Sequence, residues 1–253
     1  MAFPTIRNTN ANDIPSSTSS FTVSLPYGHI AGDLLIIAVS IDGSRTFTTP
    51  TGWTLLANPT NTTANRLAVW YKIRGFTESN PVISMSGSEL GTWFSIAISA
   101  DTYLGTPEIA TVYGVGNAPN APSLTASWGS ADNLWLAIHG WDYNRTSSTD
   151  PSGFTNLEYE RNTSTSGTGI RAAYKNEASA TVDPGSISIS YNDTWFAHTI
   201  VIQPYAEEPY KKVYVNIGGT WKAAEGMWIN VGGVWKPITS IGVNIGNIWK
   251  SSG

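Results

Sequence analysis

The chain has 253 residues, of which 41% are hydrophobic and only 13% charged, with a formal net charge of -4. That length leaves room for a sizeable core plus a small extra module. Sparse, scattered Lys and Arg argue against a phosphate-tracking surface, so no nucleic-acid partner is expected. The absence of cysteine removes disulfides, thiolate metal sites and thiol nucleophiles.

Met1-Ala2-Phe3-Pro4 leads into a polar stretch without the features of a secretory signal. The longest apolar run, Leu34 to Val39, has the length of a buried strand, so no membrane insertion is expected. Asn-x-Ser/Thr triplets such as Asn61-Thr62-Thr63 read as a by-product of an Asn/Thr-rich composition. Abundant Gly, Ser, Thr, Asn and aromatics, without an amphipathic helical pattern, point to an all-β protein.

Along the first two hundred residues one unit occurs twice. Gly32-Asp33-Leu34-Leu35-Ile36 is echoed by Ala131-Asp132-Asn133-Leu134-Trp135, and Pro50-Thr51-Gly52-Trp53-Thr54 by Pro151-Ser152-Gly153-Phe154-Thr155. Trp70-Tyr71-Lys72 is echoed by Ala173-Tyr174-Lys175, Val82 to Ser86 by Ser186 to Ser190, and Thr92-Trp93-Phe94 by Thr194-Trp195-Phe196. The offset stays between 99 and 104. The blocks are short, apolar or alternating, and bounded by turn residues, which is a many-stranded pattern. Leu34 to Val39 suits a central strand covered on both faces. Ile83-Ser84-Met85-Ser86 and Ile187-Ser188-Ile189-Ser190 alternate as half-buried strands do. Trp53 and Phe154 read as core plugs, and Trp70, Trp93, Trp135 and Trp195 as core. Trp128, Trp141 and Tyr143 fall near turn signals and are expected to be exposed.

The expected architecture is an antiparallel β-sandwich with internal pseudo-twofold duplication, spanning residues 1–204, with copies at about 20–100 and 121–204. Two separate small sandwiches are the alternative. The connection from Asp101 to Asn120, read as a link whose Gly114-Val115-Gly116 is a turn, lacks a long flexible run and favours one body. Residues 205–210 read as a linker.

Residues 211–253 carry one pattern three times: Val215-Asn216-Ile217-Gly218-Gly219-Thr220-Trp221-Lys222, Ile229 to Lys236, and Val243 to Lys250. Trp221, Trp235 and Trp249 lie 14 positions apart. A fixed period marks repeated structural units. Each repeat predicts a β-hairpin around Gly-Gly or Gly-Asn. A two-residue turn sets Asn216, Asn230 and Asn244 opposite Trp221, Trp235 and Trp249. Each hairpin then has an aliphatic face and an Asn–Trp face, and two strands cannot bury both. These six residues are the candidate assembly contacts. Tryptophans stacked on sugar rings, or a solvent-exposed tail, are the alternatives.

Signals for chemistry are few. His29, His139 and His198 have no zinc spacing and read as loop or half-buried strand positions. No nucleophile elbow or phosphate loop occurs. Glu78, Glu89, Glu108, Glu158, Glu160 and Glu177 are the carboxylates available for acid–base work, without a pairing legible in sequence. Asp42, Asp142 and Asp150 follow central strands but lack calcium-loop spacing. No catalytic, cofactor-binding or metal-binding residues are assigned, and no cofactor is expected.

The Gly32-Asp33-Leu34-Leu35-Ile36, Pro50-Thr51-Gly52-Trp53-Thr54 and Trp70-Tyr71-Lys72 blocks, with the Val-Asn-x-Gly-Gly-x-Trp-Lys hairpins, resemble a group of tailed-bacteriophage virion proteins. The third repeat departs from that pattern, with Asn247 in place of the second glycine. The resemblance implies a non-enzymatic virion component, assembled in the host bacterial cytoplasm. Its expected place is the tail, fibre or baseplate apparatus, and its expected partners are other virion proteins and copies of itself. A capsid decoration (cement) protein on the phage head is one alternative. A carbohydrate-binding module for host recognition, with a host surface glycan as ligand, is the other.

Overall fold

The structure is a computed structural model that describes residues 2–60 and 64–205. Beyond them it describes the backbone of six short strands between 214 and 251. The chain divides into two units, Met1–Ala206 and Glu207–Gly253. Every regular element is a strand, with no helix among the described residues.

The first half of the larger unit supplies β1 (Ile6–Thr22), β2 (Leu34–Asp42), β3 (Phe47–Thr48), β4 (Thr54–Ala57), β5 (Asn65–Ile73) and β6 (Val82–Ile98). They form one antiparallel sheet in the order β1-β6-β2-β5-β4, with β3 paired to β6. The second half supplies β7 (Tyr103–Gly116), β8 (Asn120–Ala121), β9 (Leu124–Thr125), β10 (Asp132–Asp142), β11 (Thr155–Arg161), β12 (Thr168–Ala178), β13 (Thr181–Val182), β14 (Gly185–Ser186) and β15 (Asp193–Pro204). Its sheet runs β7-β15-β10-β12-β11, the same order of equivalents. Each copy is therefore one sheet, and the two sheets close on each other as one sandwich. Order is reversed between the layers: β1 lies over β11, and β4 lies near β7. That is the arrangement a pseudo-twofold axis between the sheets produces.

Alternation along the central strands explains their unbroken apolar runs. Leu34, Ile36 and Ala38 of β2 face Leu134, Leu136 and Ile138 of β10 in the inter-sheet core, with Phe94 and Phe196. Leu35, Ile37, Val39 and Ile41 point the other way, under a cover of Val23, Leu25, Trp53, Ile83 and Met85. The outer face of the second sheet is covered in turn by Ala121, Leu124, Ala126, Phe154, Val182, Ile187 and Ile189. None of the described tryptophans lies in the inter-sheet core. They sit in the outer layers, where an indole N–H can meet a polar group: Trp70 Nε1 donates to Thr49, Trp128 to Asn133, Trp135 to the Glu177 carbonyl and Trp141 to the Arg145 carbonyl.

Several expectations are corrected. Each copy begins earlier than its sequence blocks, with the edge strands β1 and β7. Gly114-Val115-Gly116 is not a turn but the end of β7, and Gly114 is small because the Trp195 ring lies on it. Ile187 and Ile189 are buried between exposed neighbours, yet this segment is not a sheet strand. Their N–H groups donate to the Pro119 and Asn117 carbonyls, and Ile189 makes only an isolated bridge to Ser147. Trp141 is fully buried rather than exposed, because β10 continues through Asp142 and the indole packs over Gly169 and stacks on Tyr159.

In the smaller unit the six strands pair as three hairpins: β16 (Tyr214–Ile217) with β17 (Thr220–Ala223), β18 (Trp228–Val231) with β19 (Val234–Pro237), and β20 (Gly242–Ile245) with β21 (Ile248–Ser251). Asn216 pairs with Trp221, Asn230 with Trp235 and Asn244 with Trp249. The expected Gly-Gly and Gly-Asn turns lie outside the described residues.

Candidate functional site

The repeat residues hold equivalent backbone positions in their three hairpins. Asn216 is the cross-strand backbone partner of Trp221, Asn230 of Trp235 and Asn244 of Trp249. Each ladder has four residue pairs and no third strand among the described residues. The candidate assembly surface is thus a set of three equivalent two-stranded ribbons.

Ser40, Asn65, Thr92, Asp142 and Thr168 are buried polar residues near one end of the inter-sheet layer, where both central strands finish on aspartate. Asp42 pairs with Asn65 in its sheet and Asp142 with Thr168 in the other. Across the layer the Asp42 and Asp142 carboxyls share a hydrogen bond. Asn65 Nδ2 donates to the Gly140 carbonyl, and Thr168 Oγ1 donates to the Ser40 carbonyl. At this end the two sheets therefore exchange polar contacts in both directions, and Thr92 and Thr168 add a hydroxyl pair across the layer. Burial, followed by the neighbouring Asp42 and Asp193 charges, pushes the Asp142 carboxyl up to about 7, against the Tyr143 N–H that favours its anion. Asp42 moves the same way, through burial and Glu89. Glu89 pairs with Arg45 at 2.8 Å and Asp193 with Arg145 at 2.7 Å, so each carboxylate acting on the pair has a cation of its own. Two carboxyls sharing a proton satisfy each other without a counter-ion.

The histidines are buried more deeply than their sequence context suggested. His198 is fully buried on the inner face. Its Nε2–H donates to the Leu67 carbonyl of the opposite sheet at 3.0 Å, which leaves Nδ1 to accept from Thr111 Oγ1 at 2.9 Å. Burial pulls its pKa down to about 4. His139 is fully buried in the outer layer with neither ring nitrogen partnered. Burial, then the positive charges of His198 and Arg171, take it down to about 3. Both rings are neutral at physiological pH. His29 sits in its loop as acceptor for the Arg74 guanidinium.

The carboxylates weighed for acid–base chemistry are held by separate partners. Glu78 binds Lys72, Glu89 binds Arg45, Glu108 accepts from Ser127, Glu158 from Thr9, Glu160 from the Arg161 N–H, and Glu177 pairs with Lys175. Asp150 accepts from Arg171 at 2.6 Å. No three His, Asp or Glu residues are arranged to hold a metal ion among the described residues.

Of the three aromatics read as exposed, Tyr143 is exposed, Trp128 is half-buried and Trp141 is enclosed. Tyr143 has a positive φ of 57° and stands against the Arg145 guanidinium, with Tyr191 on a second side of that group. Sequence reading missed Tyr191, and also Tyr27 and Phe76, which are 90% and 95% exposed at the other end of the first sheet. The available signal was an aromatic beside turn residues, as in Pro26-Tyr27-Gly28 and Gly75-Phe76. Comparison with protein-family models, with curated proteins and with solved structures gave no match.

Proposed function

We propose that this chain is a non-enzymatic structural component of a bacteriophage virion. In this reading it lies on the particle surface in the tail, fibre or baseplate apparatus, and the C-terminal hairpins attach or oligomerise it. The single observation that carries the reading is the repeat. Three hairpins share one backbone register, with Asn216, Asn230 and Asn244 opposite Trp221, Trp235 and Trp249, and a two-stranded ribbon alone is marginally stable. Such ribbons are suited to being completed by neighbours, other virion proteins or sister chains.

Two experiments test this. Cryo-electron microscopy of particles carrying a labelled copy should show signal on the tail. Signal on head facets would overturn that location in favour of a capsid decoration role. Removing the residues after Tyr210 should leave a folded body that no longer enters particles. Incorporation of the truncated chain at the normal copy number would sink the attachment role.

A glycan-binding role is a second reading, favoured by Tyr143 and Tyr191 on either side of Arg145. Aromatic faces beside a planar cation can stack on a sugar ring. Saturable binding on a glycan array, lost in Y143A and Y191A, would support it, and an array without signal would remove it.

A further inference from the structure

A sheet edge is a row of unpaired backbone donors and acceptors, and proteins usually blunt it with shortness, irregular register, proline or charge. Three of the four outer edges of this sandwich follow that rule. β4 is four residues long with a register shift. β11 carries Glu158, Glu160 and Arg161 and a register shift. β1 carries Arg7, Asp13 and Pro15, breaks register three times and lies over β11.

β7 is different. From Ile109 to Gly116 it runs in unbroken register with β15, from Ile109↔Ile200 to Gly116↔Asp193. That segment, Ile109-Ala110-Thr111-Val112-Tyr113-Gly114-Val115-Gly116, has no charge and no proline. Its other side pairs with no strand among the described residues. Its inward-facing side chains also project past the short β4. Val115 is 68% exposed and Tyr113, although packed on Phe196, is 36% exposed.

We propose that β7 is a self-pairing edge, at which the body binds β7 of a second copy antiparallel about a twofold axis, joining two five-stranded sheets into one of ten. This goes beyond the attachment role of the hairpins, since it assigns a second, independent contact to the body. The occupant follows from the strand's own chemistry. An uncharged segment meets itself without like charges opposite one another. An axis perpendicular to the sheet keeps inner side chains beside inner side chains. Pairing must then centre on one residue, and the middle of the segment offers Val112 or Tyr113. Centred on Val112, Val115 lies opposite Ile109 of the second copy; centred on Tyr113, it lies opposite Thr111. In both registers the exposed Val115 gains a cross-strand neighbour.

The chain lacks cysteine, so an engineered thiol reports unambiguously. The test uses the full chain with V112C, Y113C and V115C introduced singly, under mild oxidation, with sedimentation velocity of the V115K variant alongside. V112C or Y113C should form a disulfide-linked dimer at least tenfold faster than V115C, which never meets itself in either register. V115K should weaken self-association at least tenfold. Equal cross-linking of all three, or association of V115K within twofold of the parent, would overturn the proposal. So would a parent chain that sediments as a monomer at millimolar concentration. Loss of particle incorporation on removing the hairpins, with cross-linking intact, would leave this contact standing and concern only the attachment role.

Discussion

The two sheets of the body share a strand order and a polar end, and they differ in what covers their outer faces. In the first sheet the cover is partly the sheet itself, since β6 runs from Val82 to Ile98 and places Ile83 and Met85 in the same strand as Phe94. In the second, the equivalent residues leave the sheet before β15 begins at Asp193, and Ile187 and Ile189 are held by the Pro119 and Asn117 carbonyls. At the opposite end the first sheet leaves Tyr27 and Phe76 bare, while in the second Trp128 is tied to Asn133 beneath the β9–β13 ladder. The lesson is one of mutual constraint. Each inner face has only the other sheet for cover, so a change there needs a matching change across the layer. Each outer face has a local cover of its own and can diverge alone.

The sharpest way to break that comparison is to empty the shared layer from either side. Phe94→Ala and Phe196→Ala should each cost about 3–5 kcal/mol and about the same amount, read by denaturant unfolding of the full chain. A cost in one less than half that in the other would show that the layer is not shared equally. Next in size is a feature of the second sheet alone, indoles lying on glycine. Gly114→Ala and Gly169→Ala force a methyl group into the Trp195 and Trp141 rings and should cost about 1–3 kcal/mol each. Wild-type stability in both would refute the packing described.

Protonation sharpens the comparison at the polar end. Asp142 has a folded pKa of about 7, above its unfolded value near 3.8. Its contribution is therefore fully present below about pH 4 and lost as pH rises through 7. Asp142→Asn keeps a neutral hydrogen-bonding group there. It should raise the midpoint of thermal unfolding at pH 8, by about 1–2 kcal/mol of stability, and change little at pH 4. Equal destabilisation at both values would contradict the shared proton. His139 and His198 act with the opposite sign. Their folded values, about 3 and about 4, lie below the unfolded 6.5, so their contribution is present above pH 6.5 and lost as pH falls through those values. The smallest effect belongs to the bare end: Tyr27→Ser and Phe76→Ser should change stability by no more than about 0.5 kcal/mol. Trp128→Ala, which orphans Asn133 Oδ1, should cost more than either.

Duplication, the buried central strands and the repeat register were legible because each rests on local alternation. Leu34 to Val39 and Leu134 to Ile138 sit where an apolar run covered on both faces belongs. What escaped is what tertiary contact decides. Tyr103 to Gly116 carries Pro107 and three glycines, so it resembles a link, although Ile109, Thr111, Tyr113 and Val115 alternate as a strand should. β1 is mostly polar because nearly all of its side chains are exposed or half-buried, with only Ile14 enclosed. Trp141 falls near turn signals in the sequence, but Gly140 before it lies inside β10, and its missing side chain makes room for Ser40 and Leu67 of the opposite sheet. The Asp42–Asp142 pair joins residues a hundred positions apart, and no local pattern announces such a meeting.

The passage between the halves is short: β6 ends at Ile98 and β7 begins at Tyr103. It is also pinned, with Ala100 N–H donating to Asp33 and Asp101 held at a positive φ of 62°. Two sheets tethered this closely meet at an effective concentration far above that of separate chains, on the order of millimolar or higher. The tether lets the layer between them tolerate a carboxyl pair that would weaken a dimer of free halves. In a gene split at Ala100, Asp142→Asn should strengthen association of the two fragments at pH 8 and change it little at pH 4.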